Sequence, residues 1–315
     1  MANKHASLDA LFTDIADAIR EKTGDTGTIP AIEFPNMIRN NLEFDPPIPY
    51  LTFSAPSSFT LGVNNANKNW DGTLEYSTDT SSWSTWTGNS TLNAHYNGSE
   101  YVLYLRGTGN TYITGNSVAH KWSLSGIAGI KIACIGNIEN LLDYATVASG
   151  GHPTMADHCY NYMFRDCTSL TQAPELPAKT LANHCYASMF FGCTGLTQAP
   201  ALPATTLANY CYRFMFCNCA SLTQAPALPA TTLANNCYQQ MLQGCTGLKL
   251  SSTQTGEYTV AYRIPTTGTG TTATDALSNM FTSTGGTFTG TPEINTTYYL
   301  SNTNTVVGQL MRKGA

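Results

Sequence analysis

The stretch from Cys159 to Leu170, C-Y-N-Y-M-F-R-D-C-T-S-L, returns in nearly the same letters from Cys185, Cys211 and Cys237, each time after 26 residues. The second cysteine keeps the same step at Cys167, Cys193, Cys219 and Cys245. Between the blocks runs T-Q-A-P-x-L-P-A-x-T-L-A-N, from Thr171 to Asn183 in the first copy. A fixed period in this range predicts a solenoid, in which each unit covers the apolar side of its neighbour. Such architectures serve recognition far more often than catalysis.

The repeats compare the chain with itself. Cys, Tyr, Met, Phe, Cys, Leu, Ala-Pro and Leu-Pro are the same in the first three units, which predicts core and turns. Positions that differ are expected on the surface: Asn161, Tyr162, Arg165 and Asp166; Ala187, Ser188 and Phe191; Arg213, Phe214, Cys217 and Asn218; Gln239, Gln240 and Gln243. A further varied column precedes the first cysteine: His158, His184, Tyr210, Asn236. From these comes the candidate ligand-facing set: His158, Tyr162, Arg165, His184, Phe191, Tyr210, Arg213, Phe214, Asn236, Gln239 and Gln240. Stacked about 5 Å apart, they form a continuous face with the aromatic and arginine anchors favoured at binding hot spots. The competing reading is solvent-facing drift, since surface substitutions are usually tolerated.

Ten cysteines would suit a disulfide framework in a secreted protein. Two cysteines eight residues apart along a helix lie about 12 Å apart, too far to bridge. Equivalent cysteines in adjacent units have parallel Cα–Cβ vectors, which suits a disulfide poorly. Small buried thiols stacked in columns are the expected role. Cys217 breaks the pattern and is expected to point outward. His158-Cys159 and His184-Cys185 do not make a metal site, which needs three or four converging ligands; neither metal nor cofactor is expected. G-x-S-x-G, H-E-x-x-H, P-loop and dinucleotide signatures are absent, and Asp157, His158 and Ser188 form no recognisable catalytic pattern. The expectation is a protein that is not an enzyme.

The whole chain has 315 residues, 42% hydrophobic and only 11% charged, against about 25% charged in a typical protein. Its net charge of −5 speaks against nucleic acid as a partner, which calls for a basic stripe. No apolar run approaches the ~18 residues that span a membrane, so no insertion is expected. Residues 7–22 read as an amphipathic helix with Leu8, Leu11, Phe12, Ile15 and Ile19 on one face, capped by Ser7 and ended by Thr23-Gly24. A shorter helix follows around Phe34–Asn41. The expected fold is multidomain and mainly β with short helices. Residues 1–45 form a helical attachment or oligomerisation segment. A stiff linker at Asp45–Pro49 leads into a β-sandwich over 50–130, then the solenoid over 131–250 and a degenerate cap and tail over 251–315. In the sandwich, Asp71-Gly72 and Asn97-Gly98 signal hairpin turns. Thr73–Ser77, His95–Tyr96 and Glu100–Arg106 read as strands. Trp83 and Trp86 suit either a sugar platform or a core, and the core should claim at least one. Ile127–Tyr144 reads as the entry cap, Ala276–Phe281 as a degenerate closing unit, and Val306–Ala315 as a loose tail.

The unit M-F-x-x-C-T-S-L-T-x-A-P-x-L-P resembles the leucine-rich repeats of BspA-like bacterial surface proteins, whose hallmark is a short helical A-F-x-x-C-x-x-L followed by a strand and a proline-bearing turn. Here Met163-Phe164, Met189-Phe190 and Met215-Phe216 stand for Ala-Phe, and the repeat runs a few residues longer. The likeness covers about 110 residues and implies a fold, not a ligand. The start, L-F-T-D-I-A-D-A-I-R-E-K-T-G-x-T-G-x-I-P-A-x-x-F-P-x-x-I, resembles the N-terminal segment of structural proteins from phages of gut bacteria. That likeness implies a virion protein whose N-terminus holds other virion proteins and whose repeats face a host-surface protein or glycan. Fibre proteins of this kind are homo-oligomers, first of all trimers. Met1–Ser7 lead straight into the amphipathic segment with no apolar leader core, so the expectation is either a leader already removed or exit from the cell by another route, such as phage lysis. The alternatives are a bacterial cell-surface adhesin for host matrix and a head-decoration protein that stabilises the capsid.

Overall fold

The computed structural model describes residues 48–65, 68–265 and 273–307. The helix read over 7–22, with Leu8, Leu11, Phe12, Ile15 and Ile19, the helix around Phe34–Asn41 and most of the linker lie outside the described residues. Everything described from Pro49 onward belongs to one compact unit. Among the described residues it is mainly β, with sixteen strands, one α-helix and one 3-10 turn, in several open sheets and no barrel.

Nine strands come first: β1 (Leu51–Ala55), β2 (Phe59–Val63), β3 (Thr73–Ser77), β4 (Ser84–Trp86), β5 (Leu92–Asn93), β6 (His95–Tyr96), β7 (Tyr101–Thr108), β8 (Trp122–Gly126) and β9 (Ile132–Ile135). Helix α1 (Asn140–Ala148) follows, then β10 (Leu170–Gln172), β11 (Gln224–Pro226), β12 (Lys249–Ser251), β13 (Tyr258–Arg263), β14 (Gly285–Gly286), β15 (Thr297–Ser301) and β16 (Thr305–Val307). One sheet runs β10-β9-β1-β7-β3-β4, with β6 also on β7; a smaller one runs β5-β2-β8. Alternation decides which side is core: Leu51, Phe53 and Ala55 of β1 are buried and the residues between them less so. Trp86 and Trp122 meet edge to face at 5.5 Å in that core, with Phe53 6.4 Å from Trp122. Trp86 is therefore core. Trp83 stays outside it, covered by the Arg106 guanidinium 4.0 Å above its ring.

Asn97-Gly98 makes the expected turn between β6 and β7, where Gly98 adopts φ 105° and Asn97 N–H donates to the Glu100 carbonyl. Asp71-Gly72 does not join a hairpin, because β2 and β3 belong to different sheets. Asp71 instead accepts from the Thr111 backbone N–H at 2.8 Å and the Thr111 hydroxyl at 2.6 Å, tying two loops together. These bonds hold its carboxyl below the usual range although burial opposes them as the largest single influence.

The boundary expected at residue 130 falls inside continuous structure. Strand β9 pairs with β1 on one side and with β10, the first repeat's strand, on the other. The Trp122 N–H donates to the Met163 carbonyl at 2.8 Å and the Ile113 N–H to the Cys159 carbonyl at 2.8 Å. Residues 113–122 thus occupy the place of a unit before the first, with Trp122 near Phe164 at 6.1 Å but edge to face, not stacked as the phenylalanines of successive units are.

Within each unit the segment from the first to the second cysteine is not the short helix expected from the sequence. It is a chain of turns. Backbone N–H groups of Met163 and Cys167 bond three residues back, at 3.2 and 3.0 Å. Those of Tyr160, Tyr162 and Phe164 leave the unit and donate to the Cys185, Ala187 and Met189 carbonyls at 2.8, 3.0 and 2.9 Å. The cause is a left-handed residue at every fourth position, here His158, Tyr162 and Asp166 at φ 61°, 64° and 63°. A continuous helix requires right-handed residues throughout. Each reversal turns alternate donors outward, toward the next unit.

Identical side chains therefore stack in register. The rings of Tyr160, Tyr186, Tyr212 and Tyr238 follow one another at 5.6, 5.9 and 5.7 Å, and those of Phe164, Phe190 and Phe216 at 5.7 and 5.6 Å. Full burial of each such ring contributes roughly 1.5–3 kcal/mol. The ten cysteines are free and buried. Cys193, Cys219 and Cys245 each donate Sγ–H to the preceding unit's Phe164, Phe190 and Phe216 carbonyls at 3.0 Å. Cys217, expected outside, is 4% exposed. Its column mates Arg165, Phe191 and Gln243 are long enough to reach the surface; a one-atom thiol is not. Asn183, Asn209 and Asn235 of T-L-A-N form a second ladder, in which Oδ1 accepts the backbone N–H of Asn209, Asn235 and Thr274 at 3.1, 3.2 and 2.9 Å.

The echo at Ala276–Phe281 takes the fifth place in the stack: Tyr238 N–H donates to the Ala276 carbonyl and Gln240 N–H to the Ser278 carbonyl, both at 2.9 Å. Val306 and Val307, read as loose tail, lie in β16, which pairs in parallel with β11. The rest of the tail, 308–315, is outside the described residues.

Candidate binding face

Two of the varied columns coincide with left-handed backbone: His158, His184, Tyr210 and Asn236, then Tyr162, Ser188, Phe214 and Gln240, all at φ between 53° and 64°. A third holds Asp166, Gly192, Asn218 and Gly244. Asn, Asp and Gly tolerate this conformation, whereas bulky side chains there are strained. Tyrosine and phenylalanine in such places carry a cost of order 1–3 kcal/mol, of the kind that clusters at binding sites.

The bulky residues converge. His158 and His184 stack at 4.5 Å, and His184 and Tyr210 at 4.4 Å, within 14° and 10° of parallel. Beside this pile the Arg165 guanidinium lies 3.8 Å over Phe191 and that of Arg213 4.6 Å over Phe214, the two phenylalanines meeting at 6.5 Å. Between the two rows opens a cleft of about 320 Å³, floored by Asn161, Ala187 and Ser188.

Of the expected set, His158, Tyr162, Arg165, His184, Phe191, Arg213 and Phe214 line this cleft, and Tyr210 extends its stacked wall. Asn236 does not belong: it is 8% exposed, because its backbone bonds to Thr274 of the closing unit, which covers it. Gln239 and Gln240 are half-buried one unit further along and outside the cleft; the Gln240 amide bonds to Gln243 of its own unit. The varied Asn161, Ala187 and Ser188, expected on the surface, are buried. Asn116 also lines the cleft. It comes from the loop before β8, where no repeat signals it.

The electrostatics are lopsided. Lys121 bonds Asp166 at 2.7 Å, and Arg165 approaches the same carboxylate at 3.6 Å. Arg213 has no acceptor among the described residues, and its Nε is buried without a partner. Oδ1 of Asn161, a residue 3% exposed, is likewise buried and unpartnered, while its Nδ2 lies 3.2 Å from His158 Nδ1. Desolvation, then His158 and Arg213, push the His184 imidazole below its ordinary pKa against the opposing pull of Asp157. No group of three or more His, Cys, Asp or Glu suited to a metal occurs among the described residues.

A larger cleft, about 670 Å³, separates Thr171–Pro177 of the first unit from the Thr197–Pro203 stretch of the second. Apart from Glu175 its lining is uncharged, and it holds neither an aromatic ring nor a cation. Compared with protein-family models, curated proteins and solved structures, the chain finds no match in any of the three.

Proposed function

We propose that this chain is a bacteriophage virion structural protein, a non-enzymatic fibre or adhesin. In this reading residues 1–45 hold other virion proteins, the strands over 50–130 form a β-sandwich spacer, and the 26-residue units form a leucine-rich-repeat solenoid of BspA-like type that faces a host-surface protein or glycan. The observation that carries the binding role is the cleft: strained, ring-bearing and cationic side chains from three successive units meet on one face. Drift at solvent positions would scatter such residues and leave their buried polar atoms paired. A homotrimer would present three such faces, and avidity would offset weak single contacts.

The test replaces Tyr162, Phe191, Tyr210 and Phe214 together with Ser. The full chain should compete with particles for adsorption to bacterial cells, and the quadruple variant should not, with its melting transition retained. Equal competition by a folded variant rules the binding face out. Labelling of the chain on imaged particles tests the virion role separately.

A further inference from the structure

We propose that the cleft takes a carboxylate-bearing sugar, such as a uronic acid residue, with its carboxylate on Arg213 and its ring against Phe214 and the stacked His158 and His184. The inference rests on the binding role above and adds the ligand's chemistry. Three features carry it.

First, charge. The chain as a whole is at −5, yet no carboxylate is among the residues that line the cleft, which include two guanidiniums. Asp166, beside Arg165, is already held by Lys121 at 2.7 Å. Arg213 lies over Phe214 and has no hydrogen-bond acceptor among the described residues, and a planar fork of this kind matches a carboxylate in two parallel hydrogen bonds.

Second, unmet polar groups inside the site. Asn161 Oδ1 and Arg213 Nε are buried without partners. Burying such atoms without a partner opposes folding, so a ligand that pairs them gains accordingly. Asn161 Oδ1 accepts and Arg213 Nε donates, so a ligand meeting both carries a donor, such as a hydroxyl, and an acceptor, such as a carboxylate oxygen. Ser188 in the floor and Asn116 in the lining add groups that pair with hydroxyls.

Third, shape. A volume of about 320 Å³ is at the small end for ligand sites, which run from roughly 300 to 1,000 Å³. It suits one or two sugar rings. Its walls are aromatic, but His184 is sandwiched between His158 and Tyr210 at 4.5 and 4.4 Å, so the pile gives ring edges, and Phe214 carries Arg213 over one face at 4.6 Å. A sugar ring uses this apolar border and the cation together, whereas an acidic peptide side chain uses the cation alone.

The test uses the full chain and calorimetric titration with a glucuronic-acid oligosaccharide, the same oligosaccharide with its carboxyls reduced, a sulfated neutral oligosaccharide, and a poly-glutamate peptide. The uronic acid form should bind, and the reduced form should bind about tenfold more weakly or worse, as expected for losing a charge-assisted hydrogen bond. Arg213→Gln should lose the preference for the carboxylate form, and Arg213→Lys should recover only part of it. Equal binding of the reduced form overturns the proposal, as does binding of none of the probes. Tighter binding of the sulfated sugar or of poly-glutamate overturns it in favour of those chemistries. Cell adsorption separates the two levels: a chain that adsorbs to cells but ignores uronic acids leaves the binding role standing, and a chain that does neither removes both.

Discussion

His184 lies face to face with His158 of the preceding unit, ring centres 4.5 Å apart and planes 14° from parallel. A charge on His184 is opposed by desolvation and by the neighbouring His158 and Arg213. Desolvation is the largest influence, and with these neighbours it holds His184 below its ordinary pKa; only Asp157 pulls the other way.

The consequence for stability has a definite sign. An unfolded His184 binds its proton as pH falls through about 6.5, while the folded one does not. The unfolded state then holds more protons, so stability falls as pH drops below that value and levels off below the folded pKa. Urea midpoints measured between about pH 8 and pH 5 should decline, and less steeply in His184→Asn, which places at this site the residue used at Asn236. Parallel curves for the two proteins would show that the imidazole stack does not govern the decline.

Gly192 tests the left-handed columns. It adopts φ 71°, and a Cβ built there meets Asp166 Oδ1 of the preceding unit at 2.6 Å. Gly192→Ala should cost about 1–3 kcal/mol in chemical denaturation, part from backbone strain and part from the clash. Shortening the neighbour, Asp166→Gly, should restore the second part only, which a double-mutant cycle separates. Additive costs would mean that Asp166 swings away freely.

Stacked columns were legible because repetition exposes them: residues that recur every 26 positions are those that meet their own copies, and the Tyr and Phe columns follow from that alone. Thr73–Ser77 and the Asn97-Gly98 turn were legible for local reasons, β-propensity and a glycine that accepts φ 105°. The local path of each unit was not. A segment with apolar residues in helical spacing becomes a run of turns because alternate N–H groups find partners in the next unit, a long-range choice that propensity does not carry. Varied did not mean exposed: Ser188 and Asn236 sit in the left-handed columns, Asn161 and Ala187 beside them, and all four are buried. Asn116 and Trp122 were invisible as parts of the stack because they belong to its non-repeating first layer.

The thiols give a third expectation. Burial is the first cause of a raised pKa at every repeat cysteine, taking Cys167 and Cys237 to about 12 and Cys217 to about 11. Since the thiolate is the reactive form, native protein should react negligibly with a disulfide reagent at neutral pH, and ten thiols should appear on unfolding. Cys217 should be the first to react as pH is raised. Rapid labelling of the native chain would mean that units open locally on the labelling timescale.

Tyr210→Asn distinguishes a face kept for binding from one kept for stability. Tyr210 sits at φ 61° in the column that holds asparagine in the next unit, and asparagine accepts that backbone better than tyrosine does. The substitution removes the ring stacked 4.4 Å from His184 and the aromatic surface near Arg213, at 5.5 Å. Relief of backbone strain and loss of stacking oppose each other, each of order 1 kcal/mol, so the denaturation midpoint should stay within about 1 kcal/mol of the parent. Adsorption to cells should fall all the same, because the stacked wall of the cleft is shortened. Retained adsorption with retained stability would take Tyr210 off the face. A loss of several kcal/mol would instead make the ring a structural element, and the strain at φ 61° would then be offset by packing.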